Sequence, residues 1–443
     1  MKNNKINIFG QIREGFTNTL RIWMREFQLI FSDVGVMILI FAVPLVYPML
    51  YSFIYYPEVV RDLPIAVVDL SHSPDSRQFT RELDATPDLK VAANSISMEE
   101  AISMFKNREV RGIVQIPETF SKDIAMKRQA TISAYADMEF FLYYKALMTG
   151  TSFVALQTGK QIQINNLVND GLTEQQAEIT AEPFKMVDNA MANQAGGFAS
   201  YGIPAALILI IQQTLIIAIG LLAGTARERH IFGTLVPMDR KRMGTLRLVL
   251  GKSAAYFSIY AMLCVYMLGM IPEWFGYGQS AGFTDLIALI TPFLLSSIFL
   301  GLTLSVIFKN RESSMMLYLF TSIPLLFLSG IIWPLSNFSP VWLVVREIFP
   351  SSNAIFGYIK MNSLGAGIFE TRKEIMSLWI QTGVYFLTAC ITYGYQVNFS
   401  VHLRSELASH SFREIRQKIG VRGERRDARS VINATMILEA VNQ

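Results

Sequence analysis

The stretch "YGIPAALILIIQQTLIIAIGLLAG", residues 201–224, runs for more than twenty positions without a charged side chain. A helix needs about 20 consecutive apolar residues to cross the hydrocarbon core of a bilayer, which is about 30 Å thick. The composition of the whole chain agrees, because 51% of its 443 residues are hydrophobic and only 17% are charged, against about 25% in soluble domains. The sequence therefore predicts a membrane protein.

Five further stretches resemble the first, so the chain is predicted to be a polytopic α-helical membrane protein with six transmembrane helices. The predicted spans are residues 34–56, 201–224, 251–271, 286–308, 314–333 and 377–397. The first begins too far into the chain for a cleavable signal peptide and is expected to stay as an anchor. Both cysteines, Cys264 and Cys390, fall inside predicted spans, which excludes a disulfide framework or a cysteine metal site.

Basic residues cluster in segments that six crossings place on one side of the membrane. They are Lys2, Lys5, Arg13, Arg21 and Arg25 before the first span; Arg227, Arg229, Arg240, Lys241, Arg242 and Arg247 after the second; Lys309 and Arg311 after the fourth; and Arg404, Arg413, Arg416, Lys418, Arg422, Arg425, Arg426 and Arg429 after the sixth. Lys and Arg near span ends are retained in the cytoplasm. Both termini are therefore predicted to be cytoplasmic.

Residues 1–33, before the first span, carry apolar side chains every three or four positions with charged residues between them. The apolar set is Ile12, Phe16, Leu20, Trp23, Phe27 and Ile30, and the charged set is Arg13, Arg21, Arg25 and Glu26. This spacing predicts an N-terminal interfacial amphipathic helix with its charges toward the headgroups. The alternative is a soluble helix packed on a cytoplasmic domain.

The remaining segments complete the predicted domain organisation. Residues 57–200 alternate strand and helix patterns and predict an α/β extracytoplasmic domain with a helical stalk, inserted between spans one and two. Residues 201–399 form a five-helix transmembrane region. Within it, residues 334–375 are apolar but broken by prolines, which predicts external re-entrant helices between spans five and six. Residues 400–443 are predicted to form a basic cytoplasmic tail.

The predicted spans hold almost no ionisable side chains, so an ion-driven relay of buried carboxylates or histidines is not expected. The "GKS" at Gly251–Ser253 is not a phosphate-binding loop, because the required earlier glycine is replaced by Leu246. Lys252 is instead expected to extend toward the cytoplasmic boundary. The four histidines have no metal-ligand spacing. The sequence thus predicts no catalytic, metal or cofactor-binding residues in this chain.

A cytoplasmic segment, residues 225–250, follows the second span with the sequence "RERHIFGTLVPMDRKR" at 227–242. Its candidate coupling residues combine charges, an apolar wedge and a Gly-Thr turn: Arg227, Glu228, Arg229, Ile231, Phe232, Gly233, Thr234 and Leu235. Placed at the end of a transmembrane helix, such a segment is suited to act as a lever on the span. The residues alone favour this hypothesis and a plain positive-inside loop equally.

Two motifs resemble the permease subunit of bacterial type-2 ATP-binding-cassette (ABC-2) exporters, in the branch with a large periplasmic domain. "ARERHIFGTL", residues 226–235, is similar to the coupling helix of that family, although Pro237 is expected to end it early. "FLSGIIWPLSNFSPVWLVVREIFPSSNA", residues 327–354, is similar to its external re-entrant signature. The residues that carry the second motif are Ser329, Gly330, Pro334, Pro340, Trp342 and Pro350.

The resemblance implies a permease in the bacterial inner membrane that is not itself an enzyme. Separate ABC ATPase subunits would bind ATP and Mg, and a second permease copy or paralogue would complete the path. A periplasmic adaptor protein, an outer-membrane channel and membrane lipid are further expected partners, and nucleic acid is not. The substrate of such a multidrug-efflux type of exporter would be amphipathic or hydrophobic: a drug, a lipid-like or a peptide-like molecule.

Two other classes of function compete with export. The chain would be a membrane-anchored receptor or envelope-assembly protein if its external domain bound a ligand or partner without transport. It would be a membrane enzyme acting on lipid if acid, base or metal-binding residues clustered near the interface, and no such cluster is visible in the sequence. A receptor would have no stable ATPase partner, which separates it from an exporter.

Overall fold

The computed structural model describes residues 8–56, 59–184, 197, 199–228, 244–308 and 310–421, with the side chains of residues 8–12, 14, 201, 317–318 and 397–421 left out of the description. The chain divides into two compact units. The transmembrane unit comprises Met1–Pro48, Pro204–Pro272 and Ser280–Gln443, and the α/β unit comprises Met49–Ile203 and Glu273–Gln279.

Within the described ranges, five helices are long and apolar enough to cross a membrane. They are Val34–Ile54, Gly202–Glu228, Gly244–Trp274, Phe283–Ser305 and Arg372–Gln396. These helices overlap the first, second, third, fourth and sixth predicted spans. A polytopic helical membrane protein is therefore confirmed. The third helix starts at Gly244 rather than at residue 251, so Gly251 and Lys252 lie inside a helix and not at its beginning.

The fifth predicted span, residues 314–333, is not among these five helices. A helix of 18 residues, α13 (Arg311–Leu328), occupies most of this stretch. It ends at Leu328, and Ser329 is its C-cap. Gly330 follows with a φ of 86°, a left-handed conformation that glycine adopts without a steric penalty. The sixth crossing of the membrane remains a prediction.

The helical elements that form these spans, or lie beside them in sequence, are as follows. In chain order the bounds are α1 (Ile8–Ser32), α2 (Val34–Met37), a π-helical segment (Ile38–Ala42), α3 (Val43–Ile54), α9 (Ala199–Glu228), α10 (Gly244–Val265), a second π-helical segment (Tyr266–Met270), α11 (Ile271–Trp274), α12 (Phe283–Ser305), α14 (Pro340–Arg346), α15 (Pro350–Leu364) and α16 (Arg372–Val421). Helix α16 continues without a break past residue 400, where the tail was predicted to begin.

The α/β unit contains a four-stranded sheet with helices on both faces. Its elements are β1 (Leu63–Asp69), α4 (Pro74–Asp84), β2 (Leu89–Ser95), α5 (Met98–Lys106), β3 (Gly112–Ile116), α6 (Phe120–Ala125), β4 (Ser133–Ala136), α7 (Phe141–Asn169) and α8 (Glu174–Ala181). The strand order is β2-β1-β3-β4. β1 pairs in parallel with β2 and β3, and β4 pairs antiparallel to β3.

Apolar residues alternate along β1 so that both faces of the sheet are covered. Leu63, Ile65 and Val67 pack into the larger core with residues of α4, α6 and α7, while Ala66 and Val68 pack against α5 on the opposite face. Parallel strands covered on both faces are expected to be apolar almost throughout. Local caps fix the helix starts, since the side chains of Ser73 and Ser97 accept hydrogen bonds from the first turns of α4 and α5.

Candidate functional site

The second span ends in a cluster of charged side chains where the candidate coupling segment begins. Arg311, the first residue of α13, forms a two-pronged ion pair with Asp33: its two terminal nitrogens lie 2.5 and 2.7 Å from the Asp33 carboxylate oxygens. The same guanidinium donates to the Thr225 hydroxyl at 3.0 Å. We call Asp33, Thr225, Glu228 and Arg311 the Arg311 cluster. It joins the start of the first span, the end of the second and the start of α13.

The carboxylates of the Arg311 cluster stand at helix N-termini, where backbone N–H groups lack partners within the helix. The Asp33 side chain accepts from the Val36 N–H at 3.2 Å and caps α2. The Glu228 side chain accepts from the Arg311 N–H at 2.8 Å and so satisfies the first turn of α13. Negative charge is also stabilised at these positions by the helix dipole.

The ion pair shifts the pKa of both partners. The hydrogen bond from Arg311 holds the pKa of the Asp33 carboxyl below its ordinary value, against the effect of burial. The hydrogen bond to Asp33 in turn raises the pKa of Arg311. The pair is therefore fully charged at neutral pH, which is the state in which a two-pronged contact is strongest.

A glycine allows the second span to approach α13 closely at this point. A Cβ atom on Gly224 would lie 2.8 Å from the backbone N and Cα of Arg311, closer than real Cβ contacts. Arg227, one turn further along, donates a hydrogen bond to the Phe308 carbonyl. Backbone approach and side-chain hydrogen bonds together connect the last turn of α9 to the segment that leads into α13.

A second ion pair, between Lys252 and Glu26, connects α1 to α10. The Lys252 amine lies 2.7 Å from both Glu26 carboxylate oxygens, and the Tyr256 hydroxyl donates to the same carboxylate at 3.1 Å. Both charged residues are buried. Lys252 thus pairs with Glu26 instead of extending into solvent, and Glu26 is buried instead of lying among exposed charges. The position of both residues relative to the membrane boundary remains a prediction. The third predicted span, expected to hold almost no ionisable side chains, contains one buried charge, Lys252.

A small cavity of about 100 Å³ lies between these two groups of charges. Its polar lining includes Glu26, Asp33, Thr225, Lys252, Tyr256 and Tyr393. A buried water needs polar partners and a space of about one probe sphere, and this cavity offers room for several. The two ion pairs therefore share one polar enclosure at the same end of the transmembrane unit.

The residues of the second motif lie at turns and helix starts between α13 and α16. The Ser329 hydroxyl bonds the Leu326 carbonyl at 2.5 Å and receives the Ile331 N–H at 3.4 Å, which closes the turn at Gly330. Pro340 and Pro350 occupy the first turns of α14 and α15, where a missing N–H costs nothing. Pro334 precedes a short 3₁₀ turn, and the Trp342 side chain is exposed. The serine, the glycine and the prolines of this motif thus have local backbone roles.

Helix α15 inserts a polar N-terminus among the spans, which the proline pattern alone did not reveal. The Ser351 N–H donates to the Gln212 side chain of α9 at 2.7 Å, and Gln381 of α16 donates to the Glu347 carbonyl at 2.5 Å. Arg346 donates to Glu347 and to the Ser352 carbonyl, and burial lowers the pKa of its guanidinium. Polar side chains thus position α15 within the transmembrane unit.

Of the predicted coupling residues, the structure brings Arg227 and Glu228 into contact with other elements. Arg229, Ile231, Phe232, Gly233, Thr234 and Leu235 lie outside the described residues. Sequence reasoning missed Asp33 and counted Arg311 only as a positive loop residue. The sequence signal that could have identified Asp33 was the position of its carboxylate directly before an apolar span.

A family model described as ABC-2 family transporter protein matches residues 35–391 of the chain. The chain belongs to this family. The family predicted from the two motifs is thereby confirmed, while the branch with a large periplasmic domain remains a prediction. No curated protein matches the chain.

As an ABC-2 family protein, the chain is a multi-pass membrane protein and a transmembrane component of an ABC transporter. Permeases of the ABC-2 family normally partner with ABC ATPase subunits. The match begins at residue 35 and ends at residue 391. The interval contains Thr225, Glu228 and Arg311 of the Arg311 cluster, and Asp33 lies just before it.

Proposed function

We propose that this chain is the permease subunit of an ATP-driven exporter, in which separate ATPase subunits act on the segment at residues 225–250. The substrate would be an amphipathic or hydrophobic molecule taken from the cytoplasm or the inner leaflet, because the spans are apolar with scattered hydroxyl and amide groups. Two copies of the chain, or this chain and a paralogue, would line the path. A periplasmic adaptor and an outer-membrane channel would receive the substrate outside.

The observation that carries this proposal is the Arg311 cluster. Force applied to the segment after Glu228 would reach two other helices directly, because Glu228 contacts the start of α13 and Arg311 contacts Asp33 at the start of the first span. Thr225 joins the same guanidinium from the last turns of α9. A displacement at the end of the second span would therefore be shared by three helices rather than absorbed by one loop.

The proposal includes a bacterial inner-membrane location, six crossings, cytoplasmic termini and an extracytoplasmic α/β unit. Helix α13 supports the sixth crossing, since its 18 residues at about 1.5 Å each reach about 27 Å, close to the hydrocarbon thickness. Placement of the α/β unit is tested with an Ile96→Cys variant, an exposed position, in a chain whose Cys264 and Cys390 are replaced by serine. A membrane-impermeant maleimide should label intact cells, and labelling only after lysis would contradict the placement.

The decisive experiment measures transport and ATP hydrolysis in the same vesicles. The permease is purified with whatever ATPase subunit co-purifies from native membranes and is reconstituted. In Glu228→Gln and Arg311→Gln the amount of substrate moved per ATP should fall about tenfold, which corresponds to 1.4 kcal/mol of lost coupling. The subunits should remain associated. Ethidium and a fluorescent phospholipid serve as amphipathic probe substrates.

Glu312→Gln is the matched control, because Glu312 is exposed and follows Arg311 in the first turn of α13. It loses the same charge and should transport as the unmodified protein does. Unchanged transport in both Glu228→Gln and Arg311→Gln would contradict the coupling role. Purification without any ATPase subunit would instead favour a receptor or envelope-assembly protein.

A further inference from the structure

A cavity of about 550 Å³ lies within the α/β unit. It is enclosed by α4, α6, the connection between α6 and β4, and the C-terminal half of α7. Small-molecule sites are concave spaces of about 300–1,000 Å³, mostly apolar, with a few polar groups that orient the ligand. The cavity falls within this range of size. Its lining therefore decides what it could bind.

The floor of the cavity is apolar and belongs to the core of the unit. Phe79 and Phe120 are almost fully buried, with ring centroids 6.0 Å apart. Ile124, Ile132 and Ile162 form the walls. These side chains offer two aromatic rings, tilted by 57° to each other, and branched aliphatic groups, which favour the apolar body of a ligand.

The mouth of the cavity carries one more cation than it has anions. Lys127 and Asp170 pair with each other, 2.8 Å apart. Arg128, beside them, donates its backbone N–H to the Asp123 carbonyl. Among the residues that the structure describes, its guanidinium has no hydrogen-bond or ion-pair partner. Gln129, Gln163 and Asn166 add amide groups to the lining. An anionic group at the mouth would find a free guanidinium and neutral hydrogen-bond partners.

A glycine in the middle of α7 leaves part of this space empty. Glycine weakens a helix interior relative to alanine, and it is usually retained where a neighbour approaches closely. At Gly159 no neighbour does so, because a Cβ atom there would meet nothing within 4 Å. The absent side chain adds to the cavity, which Gly159 lines. A larger side chain introduced at Gly159 would therefore have room to project into the cavity.

We propose that this cavity binds a small amphipathic monoanion, with its apolar body against Phe79 and Phe120 and its acidic headgroup at Arg128. The inference goes beyond the export function, since it concerns a site inside the α/β unit and needs no ATPase subunit. A carboxylate or sulfonate headgroup fits the fork of a guanidinium. The single excess cation at the mouth selects one negative charge rather than several.

The test uses the full chain in nanodiscs of phosphatidylcholine, a zwitterionic lipid with no net charge. The probe is dodecanoic acid carrying a terminal diazirine, which is crosslinked by light and located by mass spectrometry of the peptides. Labelling should concentrate in residues 120–132 and 155–170, relative to labelling of the transmembrane helices, and unlabelled dodecanoate should compete. A dodecylamine with the same diazirine should label these peptides more weakly, because its charge has the same sign as Arg128.

Three variants at lining positions and one control variant distinguish a specific site from nonspecific adsorption. Gly159→Phe fills the cavity and should reduce labelling about tenfold by steric exclusion. Ala155→Phe, at another exposed lining position, should do the same if Gly159→Phe disturbs α7. Arg128→Gln should reduce labelling about threefold to tenfold through loss of a charge-assisted contact. Lys122→Gln, an exposed cation on α6 that does not line the cavity, should leave labelling unchanged.

Hydrogen exchange of the β1 amides shows whether each variant remains folded. The proposal is overturned if folded Gly159→Phe and Ala155→Phe proteins are labelled as strongly as the unmodified protein. It is equally overturned if the amine probe labels these peptides as well as the carboxylate probe does, or if Lys122→Gln reduces labelling as much as Arg128→Gln. Labelling confined to the transmembrane helices would also contradict it.

Discussion

The transmembrane unit and the α/β unit use ion pairs in different ways. Lys252 and Glu26 pair with side chains that are only 11% and 4% exposed, and the two residues lie 226 positions apart in sequence. In the α/β unit, Arg108 and Glu139 pair on the surface with 63% and 68% of their side chains exposed. Buried ion pairs thus connect helices in the transmembrane unit. In the α/β unit, the helices and strands pack around an apolar core.

The difference follows from the environment of each unit. A surface ion pair gains little, since water screens both charges in the folded and the unfolded chain. Breaking a buried pair by removing one partner is costly, because the other charge is left without compensation. Apolar contact between helices also discriminates poorly within a membrane, where lipid tails are as apolar as leucine. Specific helix pairing in the transmembrane unit thus rests on polar contacts such as Lys252–Glu26 and Arg311–Asp33.

The largest effect is expected from Lys252→Met, which removes the charged partner of the buried Glu26 carboxylate and leaves, among the described residues, the Tyr256 hydroxyl as its hydrogen-bond donor. The protein should lose about 3–5 kcal/mol of stability, visible as a lower midpoint of thermal unfolding for the detergent-solubilised chain. Adding Glu26→Gln to Lys252→Met should recover most of the loss, since no buried charge remains. If Lys252→Met alone were as stable as the unmodified protein, the ion pair would not be what holds α1 on α10.

A loss of about 2–5 kcal/mol is expected from Leu83→Ala, which creates a cavity in the core beneath the sheet. Leu83 is fully buried. Hydrogen exchange of the β1 and β3 amides should accelerate at least about thirtyfold, while exchange in the transmembrane helices stays unchanged. Ile96→Ala, at a side chain that is 83% exposed, is the control. Equal acceleration in both variants would mean that the apolar core is not what holds the α/β unit.

An intermediate effect, about 2 kcal/mol, is expected from Arg311→Gln, because Asp33 is partly buried and loses a charged donor. The effect should depend on pH. The folded state holds the pKa of Asp33 below its usual value, so the stabilisation is fully present above the unfolded pKa of about 3.9 and is lost as the pH falls through the lower folded pKa. The difference in thermal midpoint between Arg311→Gln and the unmodified protein should therefore be constant near neutral pH and shrink below about pH 4. A difference that grows on acidification would contradict the ion pair.

The smallest effect is expected from Glu139→Gln, which removes the surface partner of Arg108. Exposed pairs contribute about 0–1 kcal/mol, so exchange of the β3 and β4 amides should change by less than about fivefold. Glu139→Gln breaks an ion pair that is exposed to water, whereas Lys252→Met breaks an ion pair that is buried between two helices. A comparable loss of stability in Glu139→Gln and Lys252→Met would contradict the proposed difference between the two units.

Features with local signals could be predicted from the sequence. Uncharged runs located five of the six predicted spans, because length and hydropathy suffice to predict a membrane helix. The helix ends were less accurate: α10 starts seven residues before the predicted span because Arg247 interrupts the apolar run without ending the helix. The turn at Gly330 likewise ends α13 before the apolar residues run out.

Contacts between distant residues could not be predicted in this way. Nothing near Lys252 indicates that Glu26 is its partner, and the alternation around Glu26 suits an interfacial helix equally well. The same holds for Asp33 and Arg311, which lie 278 positions apart. Of the candidate site, the sequence supplied Arg227 and Glu228 through their resemblance to a family motif. The residues that bind to that end of the second span come from other helices and have no motif of their own.

Helix α16 runs for 50 residues without interruption. At about 1.5 Å per residue it is about 75 Å long, more than twice the hydrocarbon thickness of a bilayer. The last membrane-spanning segment and residues 397–421 therefore form one continuous rod. If the membrane segment tilts by about 10°, the tip of the rod, about 37 Å beyond it, swings sideways by about 6 Å. A small tilt of the membrane segment would thus displace the end of α16 in the surrounding water by several ångströms.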